Sequence, residues 1–160
     1  KFGVSVTAEA RSCLCDIWPT IQRDQESLFV MSSFGQPWLS WHHGSHVLLA
    51  GTNEGDMWMW LVPQGNARTF PSYGMPSQCG AFFPDGKRAI SGYEDGSVRV
   101  FDLKSGELKH QFSDGLSHSA LVTSISVHQD NTLAISGSAD GTAKLYNTIS
   151  GKMNCCEDTT

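Results

Sequence analysis

The sequence repeats one pattern of glycine-containing turns three times, and this repetition constrains the fold more than any other feature. The stretch GYEDGSVRVFDLKSG at residues 92–106 returns 45 residues later as GSADGTAKLYNTISG. It also has a counterpart 41 residues earlier, GTNEGDMWMWLVPQG. A fixed period of this length is typical of proteins in which each repeat is one supersecondary unit. The charged residues in these stretches must therefore be judged first as parts of an architecture.

Each copy of the repeat predicts four short antiparallel strands. VRVF and AKLY alternate apolar and polar residues, as half-buried strands do. EDG, ADG and PDG predict tight turns, because glycine accepts a positive φ and aspartate binds the backbone. Three hairpins that join four strands make one blade. The sequence thus predicts an all-β β-propeller of about three and a half four-stranded antiparallel blades, which is an incomplete ring.

The repeat also divides the chain into segments. Because propellers generally close with roughly 4–8 blades, this chain by itself would leave two open sheet edges. We therefore expect a portion of a larger propeller, or a chain that associates with itself or with another chain through those edges. The expected segments are a divergent N-terminal segment at 1–12, a partial blade at 13–34, three blades at 35–75, 76–116 and 117–153, and a tail at 154–160.

Composition and charge exclude several classes of function. The chain has 11 basic and 16 acidic residues and no basic run, so we expect no nucleic-acid binding through the phosphate backbone. No segment approaches the roughly 18 consecutive apolar residues of a membrane helix. The five cysteines form no C-x-x-C pair and match no zinc pattern. Free thiols in a cytoplasmic protein are therefore expected.

Two of the repeats carry a resemblance to a known family. SGYEDGSVRVFDLKSG and SGSADGTAKLYNTISG resemble the WD-repeat family of β-propellers, over about residues 13–153. WLSWHHG, GTNEGDMWMWLVP and PDGKRA are similar to one subfamily, connected with cell migration, whose relatives include chaperones of a large-subunit ribosomal protein. The resemblance implies a non-catalytic scaffold for other proteins, including a basic ribosomal protein, and no cofactor.

The same resemblance implies a buried hydrogen-bond network. The family links a histidine before the first strand to a turn aspartate, a serine or threonine in the second strand and a tryptophan in the third. This chain keeps only parts of that set, so apolar packing is expected to contribute more to its stability. The residues concerned are His118, Ser136, Asp140 and Tyr146 in the third repeat, Ser91 and Asp95 in the second, and Trp60 in the first.

Two alternatives to a scaffold stay open. Ser136, His118 and Asp140 are the residue types of a hydrolase triad. However, Ser136 lies within a predicted strand and not on a nucleophile elbow. The other alternative is a structural β-protein that assembles with itself through its open edges.

The histidines of WHHGSH invite a metal-binding hypothesis. His42, His43 and His46 lie in a predicted turn in solvent, and neighbouring strand residues such as His42 and His43 are expected to point to opposite faces. The acidic turns lack the spacing of a calcium loop, and no phosphate-binding loop occurs. We therefore predict no metal site.

The resemblance places partner binding at one rim of the blades, where rigid strands hold exposed loops. Trp38 stands out because its counterparts are small, and tryptophan is enriched among residues that dominate binding energy. Packing of Trp38 against the preceding blade is the alternative. The rim positions by the family pattern are Trp38, Cys79 and Ser124 at the first strands and Asn53, Glu94 and Ala139 at the turns.

Acidic and aromatic residues are expected to complete this rim. Glu54 and Glu94 supply negative charge beside Tyr93, which suits a basic partner because complementary charge guides association. The predicted partner-binding residues are Trp38, Asn53, Glu54, Tyr93 and Glu94.

Overall fold

The computed structural model describes residues 38–61, 66–113 and 115–154. The predicted N-terminal segment 1–12 and partial blade 13–34 lie outside the described residues. Within the described ranges, no helix has the length and apolar character that crossing a membrane requires. The strands are β1 Trp38–Trp41, β2 Val47–Gly51, β3 Met57–Leu61, β4 Asn66–Phe70, β5 Ser77–Phe82, β6 Arg88–Tyr93, β7 Val98–Asp102, β8 Leu108–Phe112, β9 Val122–Val127, β10 Leu133–Ser138, β11 Ala143–Asn147 and β12 Lys152–Asn154.

The strands form three antiparallel sheets, each made of four consecutive strands. We call them the first blade (β1–β4), the second blade (β5–β8) and the third blade (β9–β12). The first strands of the blades lie side by side, with β1 next to β5 and β5 next to β9. The prediction of an all-β, incomplete propeller of four-stranded blades is confirmed. The described part of the third blade reaches Asn154, and residues 155–160 of the predicted tail lie outside the described residues. The predicted segment boundaries stay a prediction.

Equivalent residues occupy equivalent places in the three sheets. One residue of each second strand is paired on one side with the first strand and on the other with the third strand. The sequence repeat is therefore also a repeat of hydrogen-bond register. The three sets are Trp41–Leu48–Trp60, Phe82–Ala89–Phe101 and Val127–Ala134–Tyr146.

Glycine and aspartate form the turns between the second and third strands. Gly96 and Gly141 have φ values of 80° and 82°, which residues with a side chain rarely adopt. Asp95 Oδ1 accepts a hydrogen bond from the amide two residues further on at 2.9 Å, and Asp140 Oδ1 does the same at 2.8 Å. The repeated acids of the sequence therefore close turns by binding the backbone.

The apolar core lies in the seams between neighbouring blades. In the first seam, between the first and second blades, Leu49 and Phe101 belong to one buried cluster. In the second seam, between the second and third blades, Ile90 packs in a cluster with Phe112 and Tyr146, whose ring centroids are 4.5 Å apart. Each blade therefore contributes one face to each seam that it borders, and the seams fix the loops at both ends of the strands.

Candidate functional site

A buried polar network in the third blade brings together four residues that the family pattern implied. His118 Nδ1 lies 3.2 Å from Asp140 Oδ2, and His118 Nε2 lies 2.7 Å from Ser136 Oγ. Ser136 Oγ is 3.2 Å from the Tyr146 hydroxyl oxygen. Thr142 adds a fifth member, because its hydroxyl donates to Asp140 Oδ1 at 2.7 Å. The network ties the loop before β9 to strands β10 and β11 and to the turn between them.

The charges in this network follow from burial and hydrogen bonding. Burial lowers the pKa of His118 below its ordinary value of 6.5, although the carboxylate of Asp140 raises it. Burial alone would raise the pKa of Asp140, but hydrogen bonds from the Thr142 hydroxyl and the Ser119 amide lower it. A neutral imidazole beside an ionised carboxylate carries its proton on Nδ1. The Ser136 hydroxyl donates to the Tyr146 oxygen at 3.2 Å and lies 2.7 Å from His118 Nε2.

The same geometry gives no support to a hydrolase. Ser136 is 1% exposed and lies within β10, and His118 is 3% exposed. Neither side chain is open to a substrate, so the network holds the blade together and does not present a nucleophile.

The second blade fills the equivalent space with different side chains. Tyr73 stands 45 residues before His118, at the equivalent position of its loop. The guanidinium carbon of Arg99 lies 4.6 Å from the ring centroid of Tyr73 and 4.1 Å from that of Tyr93. Arg99 Nη2 is 3.4 Å from Asp95 Oδ2. Sequence reasoning missed Tyr73 and Arg99, although the spacing of 45 residues would have aligned Tyr73 with the histidine.

Ser91 of the second blade joins a separate chain of hydrogen bonds. Its hydroxyl lies 2.7 Å from Ser77 Oγ, which accepts a hydrogen bond from Trp38 Nε1 at 2.8 Å. A Cβ added at Gly51 or at Gly80 would collide with the Trp38 ring. Trp38 is therefore half-buried in the first seam and packs against the following blade. Partner binding at its exposed part stays a prediction.

In the first blade, tryptophan is present without the rest of the network. Trp60 is 6% exposed, and its Nε1 has no hydrogen-bond partner among the described residues. Its ring stacks on Trp58 with the centroids 5.8 Å apart. The hydroxyl of Thr52 donates to the carbonyl of Asp56 and so closes the turn locally. Trp60 thus contributes apolar packing.

The loops at one end of the blades form a surface that we call the acidic rim. It consists of the described loops that join second to third strands and one blade to the next. Every charged residue in these loops is an acid, and the five acids are Glu54, Asp56, Glu94, Asp95 and Asp140. The loops cover residues 52–56, 71–76, 94–97, 113, 115–121 and 139–142.

The predicted rim positions differ in exposure. Asn53, Glu54 and Glu94 are exposed, as are Ser124 and Ala139. These side chains are open to a partner.

Two predicted rim residues are covered in the structure. Tyr93 is fully buried at 0% exposure beneath Arg99, so the expectation that it adds an aromatic side chain to the rim surface is wrong. Tyr93 pairs in register with Ser77, which is also fully buried, and the Arg99 guanidinium carbon lies 4.1 Å from its ring centroid. Cys79 is half-buried, its thiol donates to the carbonyl of Val122, and burial raises its pKa to about 12.

The histidines of the first blade lie in the turn after β1. His42 and His43 stack with their ring centroids 4.8 Å apart, so the expectation that they point to opposite faces is wrong. Strand alternation does not apply because both follow the last strand residue, Trp41. In the described part of the chain, no group of three or more His, Cys, Asp or Glu side chains is placed to hold a metal ion.

The repeats match a known class of protein. Residues 69–102 and 106–147 match the family described as WD domain, G-beta repeat. The chain is therefore a WD-repeat protein, and the resemblance predicted from its turns is confirmed.

Individual relatives share longer stretches with the chain. The angio-associated migratory cell protein of Homo sapiens is 44% identical over 116 residues, which cover 72% of this chain and 27% of that protein. The protein of that name from Canis lupus familiaris is 43% identical over the same shares. The U3 small nucleolar RNA-associated protein 15 homolog of Xenopus laevis is 33% identical over 55% of this chain and 16% of its own length. This chain thus spans 27% of the length of the first two relatives.

Proposed function

We propose that this chain forms part of a non-catalytic scaffold that binds a basic protein at the acidic rim. The observation that carries the proposal is the charge of the rim loops, whose charged residues in the described part of the chain are all acids. Two cations reach these loops from strands: Arg99 pairs with Asp95, and Lys144 donates to the Ser117 carbonyl. The loops at the other end carry lysines as well as acids, for example Lys87 and Lys104 beside Glu107. A basic partner would therefore be attracted to one end of the blades.

Two acids of the rim, Glu54 and Asp56, also repel each other, which favours a cationic partner. Burial raises the pKa of Asp56, and the negative charge of Glu54 raises it further. A lysine or arginine that approached both carboxylates would relieve this repulsion and gain two favourable interactions.

The rim is held rigidly by hydrogen bonds between consecutive blades. The Ser77 amide donates to the Thr52 carbonyl at 3.0 Å across the first seam, and the His118 amide donates to the Gly96 carbonyl at 3.0 Å across the second. A Cβ at Gly96 would collide with the His118 carbonyl, so this approach needs glycine. Binding by preorganised loops costs little conformational entropy.

The partner that we favour is a basic ribosomal protein, bound in the cytoplasm. The similarity to a protein named for association with U3 small nucleolar RNA supports a connection with ribosome assembly. The similarity to the angio-associated migratory cell protein supports a connection with cell migration as the second context.

Charge reversal at the rim tests the proposal. Glu54→Lys combined with Glu94→Lys should weaken binding of a lysine- and arginine-rich ribosomal protein segment by about tenfold, because two attractive contacts become repulsive. Binding is measured by isothermal titration calorimetry at two salt concentrations. The wild-type affinity should fall as salt rises.

Glu107→Lys is the matched control, since Glu107 is an exposed acid at the opposite end of the blades. It changes the net charge by two units, as Glu94→Lys alone does, but should leave binding nearly unchanged. Equal losses in Glu107→Lys and in Glu94→Lys alone would show that only net charge matters, and the proposed site would be wrong.

A further inference from the structure

The two seams differ at one position near the end opposite the acidic rim. Arg88 begins β6 and pairs with Asp102, and Val47 begins β2 and pairs with Leu61, so the two residues are equivalent. Arg88 lies in the second seam and is 7% exposed. Val47, in the first seam, is a much shorter side chain at the same place.

Arg88 fills its seam and binds the third blade. Its guanidinium carbon lies 4.2 Å from the ring centroid of Phe83. Its Nη2 donates to the Asn131 carbonyl at 2.7 Å and to Asp85 Oδ2 at 3.2 Å, and its Nη1 donates to the Thr148 hydroxyl at 3.2 Å. The second seam is closed at this end by a side chain of the protein itself.

The first seam contains a cavity of about 420 Å³ at the corresponding place. Its apolar wall consists of Val47, Met59, Phe82 and Leu103. A volume of this size lies within the range of roughly 300–1,000 Å³ that small-molecule sites occupy. The wall would bury an aliphatic chain or an aromatic ring.

One carbonyl group that would bind a guanidinium in the first seam is already engaged. Arg68, from β4, donates through Nη1 to the Leu103 carbonyl at 2.8 Å and to the Lys104 carbonyl at 2.5 Å. Leu103 is the counterpart of Thr148, the residue that binds Arg88 in the second seam. A cationic ligand of the cavity would therefore compete with Arg68 for the Leu103 carbonyl.

The carboxylate at the cavity is also satisfied by donors. Asp102 Oδ1 accepts the amides of Lys104 and Ser105 at 2.9 Å each, and Asp102 Oδ2 lies 3.0 Å from Lys109 Nζ. The Ser105 amide, followed by Lys109, lowers the pKa of Asp102 to about 2. This carboxylate has its own cation and does not require one from a ligand.

The polar groups left free at the cavity are donors. Gly44 donates its amide to His42 Nδ1 at 3.1 Å, which makes Nδ1 an acceptor and leaves the proton on Nε2. His42 Nε2 lies against Gly86, in the cavity lining. Lys87 and Lys104 also line the cavity and are exposed. In the described part of the chain, neither ammonium group makes an ion pair.

We propose that this cavity binds a small carboxylate with an apolar body. The apolar part enters the wall of the first seam, and the carboxylate lies at the mouth, where it accepts a hydrogen bond from His42 Nε2 and pairs with Lys87 and Lys104. The site is independent of the acidic rim, because it lies at the other end of the strands.

Three probes of equal shape and different charge test the proposal on the unmodified chain. They are 3-phenylpropionate, its neutral amide 3-phenylpropionamide, and the cation 3-phenylpropylamine. Binding is followed by chemical-shift changes of backbone amides in ¹H–¹⁵N NMR spectra. The carboxylate should bind at least about fivefold more tightly than the amide, and the amine should bind most weakly. The shifts should be confined to residues that line the cavity.

A substitution copied from the second seam provides the blocking variant. Val47→Arg should fill the cavity and abolish binding of 3-phenylpropionate. Leu133→Arg is the matched control, since Leu133 begins β10 at the equivalent position of the third blade. It should leave the affinity unchanged.

The proposal is overturned if the amine binds as tightly as the carboxylate, or if no probe binds at about 10 mM. Retained binding in a folded Val47→Arg variant would also overturn it. If Val47→Arg does not fold, Lys104→Gln replaces it and should weaken carboxylate binding about threefold without affecting the amide. Equal weakening of both probes would contradict the assigned role of the lysine.

Discussion

In the third blade, the space behind the β10–β11 turn is occupied by His118, with hydrogen bonds to Asp140 and Ser136. In the second blade, the equivalent space is occupied by Tyr73 and by Arg99, which lies over its ring. Both arrangements anchor the loop that enters the blade to the turn of the same blade. The third blade does so through hydrogen bonds, and the second blade does so through the stacking of a cation on aromatic rings.

The two arrangements differ in how completely their polar groups are satisfied. In the third blade both ring nitrogens of His118 have partners. In the second blade, Arg99 Nε and Nη1 are buried without a hydrogen-bond partner among the described residues. A buried unsatisfied donor costs roughly 1–3 kcal/mol, so the second blade carries a cost that the third avoids. The second blade offsets this cost with apolar packing on both of its faces, whereas one face of the third blade is open.

The largest difference in stability between the two blades should appear when one equivalent apolar residue on those faces is truncated. Ile90 and Ile135 are equivalent in register, but Ile90 is 0% exposed in the second seam and Ile135 is 43% exposed. Ile90→Ala should lower the free energy of unfolding by about 2–5 kcal/mol, because it leaves a cavity. Ile135→Ala should lower it by about 1 kcal/mol or less. Urea unfolding of the two variants measures the difference.

Equal costs at these two positions would mean that the open face of the third blade is covered in solution. Sedimentation velocity would then show an oligomer, as expected for a chain that associates with itself through its open sheet. A monomer with equal costs would contradict the burial assigned to Ile135.

Removal of the central histidine of the third blade should have the next largest effect. His118→Ala removes the buried ring that links Ser136 to Asp140, together with its hydrogen bonds to both, and should lower the free energy of unfolding by about 2 kcal/mol. His128→Ala is the control, because the His128–Asp130 pair is exposed at 64% and 47%. It should cost less than about 0.5 kcal/mol. Denaturant unfolding measures the loss of stability in both variants. Equal losses would contradict the structural role of the network.

A smaller effect is expected when the unsatisfied cation of the second blade is removed. Arg99→Met keeps an extended side chain between Tyr73 and Tyr93 and removes the buried donors, so stability should change by less than about 1 kcal/mol and could rise. Arg88→Met is the matched control, since it removes a buried arginine that binds Asn131 and Thr148. It should lower the free energy of unfolding by about 2 kcal/mol. Thermal unfolding of the two variants measures which loses more stability. A larger loss in Arg99→Met than in Arg88→Met would contradict the prediction.

The strands and turns could be predicted because local sequence determines them. Glycine at a positive φ in the turn between the second and third strands appears in all three repeats, and alternation appears in two of them, in VRVF and AKLY. The likeness of the third blade to the family pattern also pointed to His118, Ser136 and Asp140, and His118 lies within hydrogen-bond distance of the other two. These features depend on neighbours in sequence or on a fixed period.

The contents of the seams could not be predicted in this way. The insertion of Arg88 into the third blade depends on how two blades pack, which no single repeat encodes. The burial of Tyr93 under Arg99 depends on an arginine that the family pattern does not include. The stacking of His42 on His43 depends on the backbone of a loop, where the period of a strand no longer applies. Residues that join blades differ from repeat to repeat, so a period cannot reveal them.

The smallest effect concerns the protonation of the third-blade network. Burial lowers the pKa of His118 below 6.5, while Asp140 raises it. Because the unfolded chain binds this proton more readily, the contribution of His118 to stability is complete above pH 6.5 and is lost as the pH falls below it. NMR titration of the imidazole should give a midpoint below 6.5, and Asp140→Asn should lower that midpoint further, because it removes the charge that favours the imidazolium. A midpoint that rises in Asp140→Asn would mean that the carboxylate does not act on His118, and the third blade would then be held by packing, as the second is.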